Sequence, residues 1–267
     1  MRRCQMKTSR LHFSRKVLAY PYMAFLIVFV VTPLVLILIN AFVADGQLTF
    51  QNFADFFTDS GSLTVLGNSL VIGLVTTVIC LAIGYPVAYI LVKYHASSKV
   101  FVLLFILPMW VNFLIRTLSL KSIFLSLDIS LGMGTVVFGM VYNYLPYMIL
   151  PLHTTLLSID HGYIEAAEDL GADRITVLLK TVLPLSVPGI ISGITMTFIP
   201  AISTFAISEL LSNRQIYLFG DSINTKFTVA QNFGVGSVMS LVMLALVIVA
   251  NVLVNIVNKD DNVRSTL

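Results

Sequence analysis

Long stretches without a charged side chain constrain this chain more than any other feature. None occurs between Lys16 and Asp45, from Ser60 to Val92, or from Ser186 to Ser208. A helix crossing the hydrocarbon core of a bilayer needs about 20 predominantly apolar residues, and each of these runs is long enough. The chain is 57% hydrophobic and 11% charged over 267 residues, whereas a soluble domain carries about 25% charged residues. So few charges cannot cover a water-facing surface of this size, and the sequence predicts an all-α integral membrane protein.

Six spans are expected, near 17–43, 63–90, 100–124, 136–157, 186–208 and 234–257. They form a membrane domain over 17–258, between a basic tail (1–16) and a short C-terminal tail (259–267). A cleaved secretory signal has an apolar core of only about 7–15 residues and a small-residue cleavage site. The first run is longer and lacks a clean site, so it reads as an uncleaved span. Arg2, Arg3, Lys7, Arg10, Arg15 and Lys16 gather before it. That asymmetry is the positive-inside signal, and it explains the net charge of +3 without nucleic-acid binding. With an even number of spans, both termini are expected in the cytoplasm.

Smaller signals refine the spans. The polar stretch Asp45–Ser62 carries Phe50, Phe53, Phe56 and Phe57 and suits a short amphipathic helix at the outer interface. Gly84-Tyr85-Pro86 is an expected kink, and the fifth span, with Pro188, Gly189, Gly193 and Pro200, is expected to be bent or broken. Arg116 and Lys121, near the outer end of the third span, are expected to snorkel to headgroups. Cys4 and Cys80 have neither metal-ligand spacing nor a disulfide framework.

One segment between the apolar runs is long and charged, the inner loop 159–185. Asp160 can cap a helix whose first turns carry Glu165, Glu168 and Asp169, toward the positive end of the dipole. Gly171 is a C-terminal stop, and Asp173 can cap a second helix running toward Lys180. Two short helices joined at a glycine, with small Ala166 and Ala167 outside, make a knob for docking in another protein's groove. An ordinary amphipathic loop helix accounts for the same pattern.

The segment resembles the EAA loop of ABC importer permeases: Glu-Ala-Ala, three residues, Gly, nine residues, Ile, one residue, Leu-Pro. Glu165, Ala166, Ala167, Gly171, Leu183 and Pro184 fall in register, and Thr181 stands where the family has Ile. The runs from Leu107 to Arg116, from Tyr144 to Pro151 and from Glu165 to Pro188, with the Gly84-Tyr85-Pro86 turn, are similar to the permeases of spermidine/putrescine importers. That resemblance covers nearly the whole chain. It implies a type I importer permease fold in a bacterial cytoplasmic membrane and a second, homologous permease subunit. It further implies two copies of a cytoplasmic ABC ATPase and an extracellular polyamine-binding protein. Glu165, Ala166, Ala167, Asp169, Gly171, Leu183 and Pro184 would then couple the chain to the ATPase.

The sequence has no Gly-x-x-x-x-Gly-Lys-Ser/Thr pattern, so ATP and its Mg are expected on the partner and no cofactor on this chain. A polyamine needs a wet path or one lined with carboxylates, carbonyl and amide oxygens and aromatic faces. Trp110, Asn112, Tyr142, Asn143, Tyr144 and Glu209 are the candidates. Packing or interfacial anchoring would account for the aromatics equally well. Rival solutes are ferric ion, thiamine or an amino acid. A serine protease lacks its motifs here, and a stand-alone channel or secondary transporter would have no need for the inner knob.

Overall fold

The computed structural model describes residues 15–44, 46–95, 103 and 107–264. The tail residues 1–14 and 265–267, Lys99 and most of the first half of the expected third span lie outside the described residues. The fold is helical apart from one two-stranded hairpin.

Helix α1 (Arg15–Leu26) passes through a single π turn (Ile27–Val31) into α2 (Thr32–Phe42). A second π turn, Leu178–Val182, interrupts the later inner segment. Each π turn lies just before a proline, Pro33 or Pro184. A proline has no N–H, and its ring crowds the carbonyl one turn back, which widens the ladder there. After α2 the chain makes the hairpin β1 (Val43–Ala44) and β2 (Gln47–Leu48) and the amphipathic α3 (Gln51–Thr58). Asn52 fixes this corner: its amide donates to the carbonyls of Asn40, Ala41 and Val43 at 3.0–3.2 Å, satisfying the open C-terminus of α2. Of the aromatics expected at the interface, Phe50 and Phe57 are exposed, whereas Phe56 is buried against Phe219.

Helix α4 (Ser60–His95) begins on Asp59, whose carboxylate accepts from the Gly61 and Ser62 amides. It continues through Gly84-Tyr85-Pro86 as one candidate span, Ser60–Tyr94. Gly84 serves there as a close-packing point, since a Cβ on it would stand 3.0 Å from Met148. The expected third span is not one helix. Residues 107–110 form a helical turn, the chain breaks at Val111–Asn112, and α5 (Phe113–Ser126) starts afresh with the Asn112 side chain accepting from the Leu114 amide at 2.9 Å. Asn112 is an N-cap because its oxygen offers the backbone an alternative to continuing the helix.

Helix α6 (Met133–Ser158) matches the expected fourth span and carries Pro146 and Pro151 within it. The inner segment comprises α7 (His161–Asp169), α8 (Arg174–Val177), the second π turn and α9 (Leu183–Leu185). Its last part meets α10 (Val187–Ser203) at a 65° bend. The bend therefore lies at Ser186, the first residue of the expected fifth span, and the helix that follows runs unbroken to Ser203 rather than to Ser208. A second break at Thr204–Phe205 leads to α11 (Ala206–Leu211), then α12 (Phe219–Thr228) and the closing α13 (Phe233–Arg264). Among the described residues four helices are long and apolar enough to cross a membrane, or five if the bent pair counts as one span.

Helices α4, α6 and α10 pack on one another and form the centre, and α2 lies along α13. One apolar cluster joins α4, α6 and the inner segment through Ala88, Leu91, Ile149, Leu152, Val177 and Val182. A second gathers α5, α6 and α11 around Leu120, Met140, Ile207 and Leu211 at the other end. A third holds Phe56 and Phe219 against Val238 and Met239. The first candidate span, Tyr20–Phe42, has no buried residue in its most apolar window, a surface suited to lipid or another protein rather than water.

Candidate functional site

The inner knob is built by local chemistry. Asp160 caps α7 by accepting from the Gly162 amide at 3.0 Å. At the other end the Gly171 amide donates to the Glu168 carbonyl (2.9 Å) and the Ala172 amide to the Ala167 carbonyl (3.1 Å), a Schellman closure. Gly171 sits at φ +83°, in the left-handed region that side chains disfavour, with open space around it. Asp173 caps α8, accepting from the amide and hydroxyl of Thr176; these bonds hold its carboxyl below the usual carboxylate range.

Glu165 and Ala166 are exposed, and Ala167 is turned half inward against the core. Asp169 and Glu168 close α7 instead of opening it: the helix begins at His161 and has no acid in its first turn. Asp169 therefore stands at the negative end of the dipole, contrary to the expectation from sequence. Thr181 and Leu183 are half-buried, and Pro184 is exposed at the start of α9. The sequence reading missed the knob's apolar rim. Leu170 is 89% exposed, Ile175 66% and Tyr163 60%, beside the exposed Glu165. Large side chains so far out of the core on a short charged segment suit a protein partner. Leu170 lies at the C-cap of α7, whereas Tyr163 and Ile175 lie in the first turns of α7 and α8, where the sequence gives no sign of their exposure.

The knob rests on the ends of α4 and α6. A cleft of about 170 Å³ lies between Tyr89, Val92, Leu156, Ile164, Arg174 and Val177. The knob is thus packed directly against two central helices.

The six candidate pathway residues do not share one place. Asn143 and Tyr144 line a cavity of about 240 Å³ with Arg116, Tyr147, Pro200 and Thr204. The Asn143 amide donates to the Gly139 carbonyl (2.8 Å) and to the Thr117 hydroxyl (3.3 Å), leaving its own oxygen buried without a donor. The Tyr144 hydroxyl donates to the Pro200 carbonyl at 3.3 Å. That carbonyl lacks its helical partner because α10 ends at Ser203, so Tyr144 closes the break at Thr204. Tyr142 is exposed and absent from the cavity lining, with the Arg116 guanidinium 5.8 Å from its ring centre. Trp110 is 84% exposed, and Asn112 is engaged as the cap of α5.

Arg116 corrects its expected role. It does not snorkel outward: it is 9% exposed, and its Nε and Nη1 have no hydrogen-bond partner among the described residues. The α5 face that carries it packs on α6 and α11 instead of pointing along the membrane interface.

Glu209 lies elsewhere, in a cleft of about 270 Å³ shared with Arg214, Tyr217, Asp221 and Asn224. Its carboxylate is paired with Arg214 at 2.7 Å, the one ion pair among the described residues. Beside it, Asp221 is buried and accepts from the Ser208 hydroxyl and the Leu218 amide. Burial pushes the Asp221 carboxyl up to about 6, against the pull of those hydrogen bonds. No cluster of potential metal ligands exists among the described residues.

This geometry has known counterparts. The chain is 34% identical over 253 residues to the spermidine/putrescine transport system permease protein PotB of Haemophilus influenzae, covering 84% of this chain and 88% of that protein. It is 31% identical over 243 residues to PotB of Escherichia coli, covering 82% and 88%. In fold it is similar to a chain of a bacterial ABC transporter that imports alginate, with a TM-score of 0.71, 11% identity and coverage of 92% and 94%. It is also similar to a chain of the inward-facing MetNI methionine transporter, with a TM-score of 0.60, 18% identity and coverage of 74% and 95%. The family profile for binding-protein-dependent transport system inner membrane components matches residues 81–260, and the chain belongs to that family.

Proposed function

We propose that this chain is the membrane-spanning permease subunit of an ATP-driven importer of polyamines, the class of spermidine and putrescine. The observation that carries this reading is the 31–34% identity to permeases named for those solutes over more than four-fifths of the chain. The likeness to alginate and methionine transporter chains, at 11–18% identity, supports the architecture and says nothing of the solute.

In this reading the chain has six spans with both termini cytoplasmic, the third interrupted at Asn112, and pairs with a second permease. The knob is the EAA coupling helix, seated in a groove of one of two ATPase subunits. Glu165 meets a basic group there, while Ala166 permits close approach and Leu170 and Ile175 supply apolar anchors. ATP and Mg stay on the ATPase, and this chain catalyses no reaction. Closing of the ATPase pair moves the knob, and with it the ends of α4 and α6, switching access from one side of the membrane to the other. Nucleotide can drive such a switch only by stabilising one state more than the other.

An extracellular binding protein delivers the polyamine at the end that carries Glu209 and Asp221. The membrane potential favours entry by about 2.3 kcal/mol per charge per 100 mV, and desolvation opposes it. The cavity at Asn143 and Tyr144 offers amide and carbonyl oxygens and aromatic faces on the way. The test is uptake of labelled spermidine and putrescine by vesicles holding the permease pair, ATPase and binding protein. Uptake should require ATP and be blocked by unlabelled polyamines. Competition by thiamine, ferric ion or amino acids, with none by polyamines, would contradict the solute assignment.

A further inference from the structure

The least compensated group in the described chain is the Arg116 guanidinium. It is buried, its Nε and Nη1 lack partners, and no carboxylate pairs with it among the described residues. A guanidinium keeps its charge in a protein, so this is a fixed positive charge inside the fold. It faces the cavity where the Asn143 oxygen is likewise unsatisfied. Among the described residues its one close polar or cation–π partner is the Tyr142 ring, whose centre lies 5.8 Å from the guanidinium carbon. Buried charges without partners are costly, and in membrane proteins they mark function.

We propose that Arg116 is a charge-selectivity residue, which bars small monovalent cations from the substrate-free permease. The inference rests on reading the Asn143–Tyr144 cavity as part of the polyamine path. A path lined with oxygens and aromatic faces would conduct K⁺ or Na⁺ down the membrane potential as readily as it admits an ammonium group. A fixed cation in a poorly polarisable wall repels every cation that enters, the principle by which an arginine excludes cations from water pores. The same charge would oppose a polyamine even more strongly, so it must be withdrawn or neutralised when ATP drives the transport step. With one cation–π contact and two unpartnered nitrogens, no hydrogen bond or ion pair among the described residues fixes the guanidinium in place.

The test uses the complete transporter in vesicles without ATP or binding protein and follows passive ⁸⁶Rb⁺ and chloride flux under a potential. Arg116→Gln should raise Rb⁺ flux several-fold with chloride flux unchanged, and Arg116→Lys should stay at the wild-type value. Wild-type Rb⁺ flux in Arg116→Gln, an equal rise in Arg116→Lys, or a parallel rise in chloride would overturn the proposal. Should Arg116→Gln fail to assemble, Arg116→Cys is treated in the membrane with a cationic or a neutral methanethiosulfonate. The cationic adduct alone should lower the leak, and equal flux after both reagents counts against the barrier. ATP-driven putrescine uptake by Asn143→Leu tests the pathway reading separately: lowered uptake supports it, and uptake at the wild-type rate removes the cavity from the path whatever the Rb⁺ result.

Discussion

Gly171 does its work through a single dihedral angle. At φ +83° with no atom nearby, a side chain there meets no wall, but a β-branched one pays about 1–2 kcal/mol for the left-handed backbone. Gly171→Val should therefore splay α7 from α8 and abolish coupled uptake in protein that still inserts, whereas Gly171→Asn, tolerant of that region, should retain most activity. Uptake assays beside a membrane-insertion measurement check both. Asp221 makes a prediction about pH. Its carboxyl sits at about 6 when folded, against an ordinary 3.8. A raised value means that its contribution to stability is full below the ordinary value and is lost as pH rises through about 6. The melting temperature of the purified permease should fall between about pH 4 and about pH 6 and level off above that, with Asp221→Asn flattening that slope. Caps such as Asp160 and Asp173 were legible in the sequence because they act on residues two or three positions away. The burial of Arg116 was not, because α6 and α11 decide it from far along the chain. That Tyr142, Asn143 and Tyr144 could not all face one path was legible in principle, since adjacent helical residues point about 100° apart.

Among the elements, α10 depends on its glycines. They read in the sequence as points of bending, yet the bend falls at Ser186 and the glycines serve close approach instead. A Cβ at Gly189 would stand 2.6 Å from Thr155, and one at Gly193 would stand 2.6 Å from the Met148 sulfur and 3.2 Å from its carbonyl. Small residues four apart let α10 lie against α6, the usual device where lipid removes the hydrophobic drive for helix pairing. Gly193→Val should cost about 1–3 kcal/mol of packing and lower the yield of folded permease, read by size-exclusion profile and melting temperature. A wild-type profile for that variant would contradict the packing role. The interrupted third span was missed because hydropathy does not register a break. The signal was Asn112, four residues after Pro108, a cap type placed in mid-span.

At the scale of the whole molecule, the apolar runs and their basic flank made the membrane class legible, and the spaced motif from Glu165 to Pro184 pointed to the family. The assembly was much less so: side chains that dock on partners carry no periodic pattern, and exposed Leu170 and Ile175 look in sequence like ordinary core residues. The account turns on the knob as the place where an ATPase drives the chain. The most direct measurement is ATP turnover and polyamine uptake in one preparation of the assembled transporter, with wild-type permease and with Glu165→Arg. The account predicts that loaded binding protein stimulates both in the wild type and neither in Glu165→Arg, while the variant is inserted at a normal level. Wild-type uptake by the variant, or uptake that proceeds with no ATPase present, would contradict it.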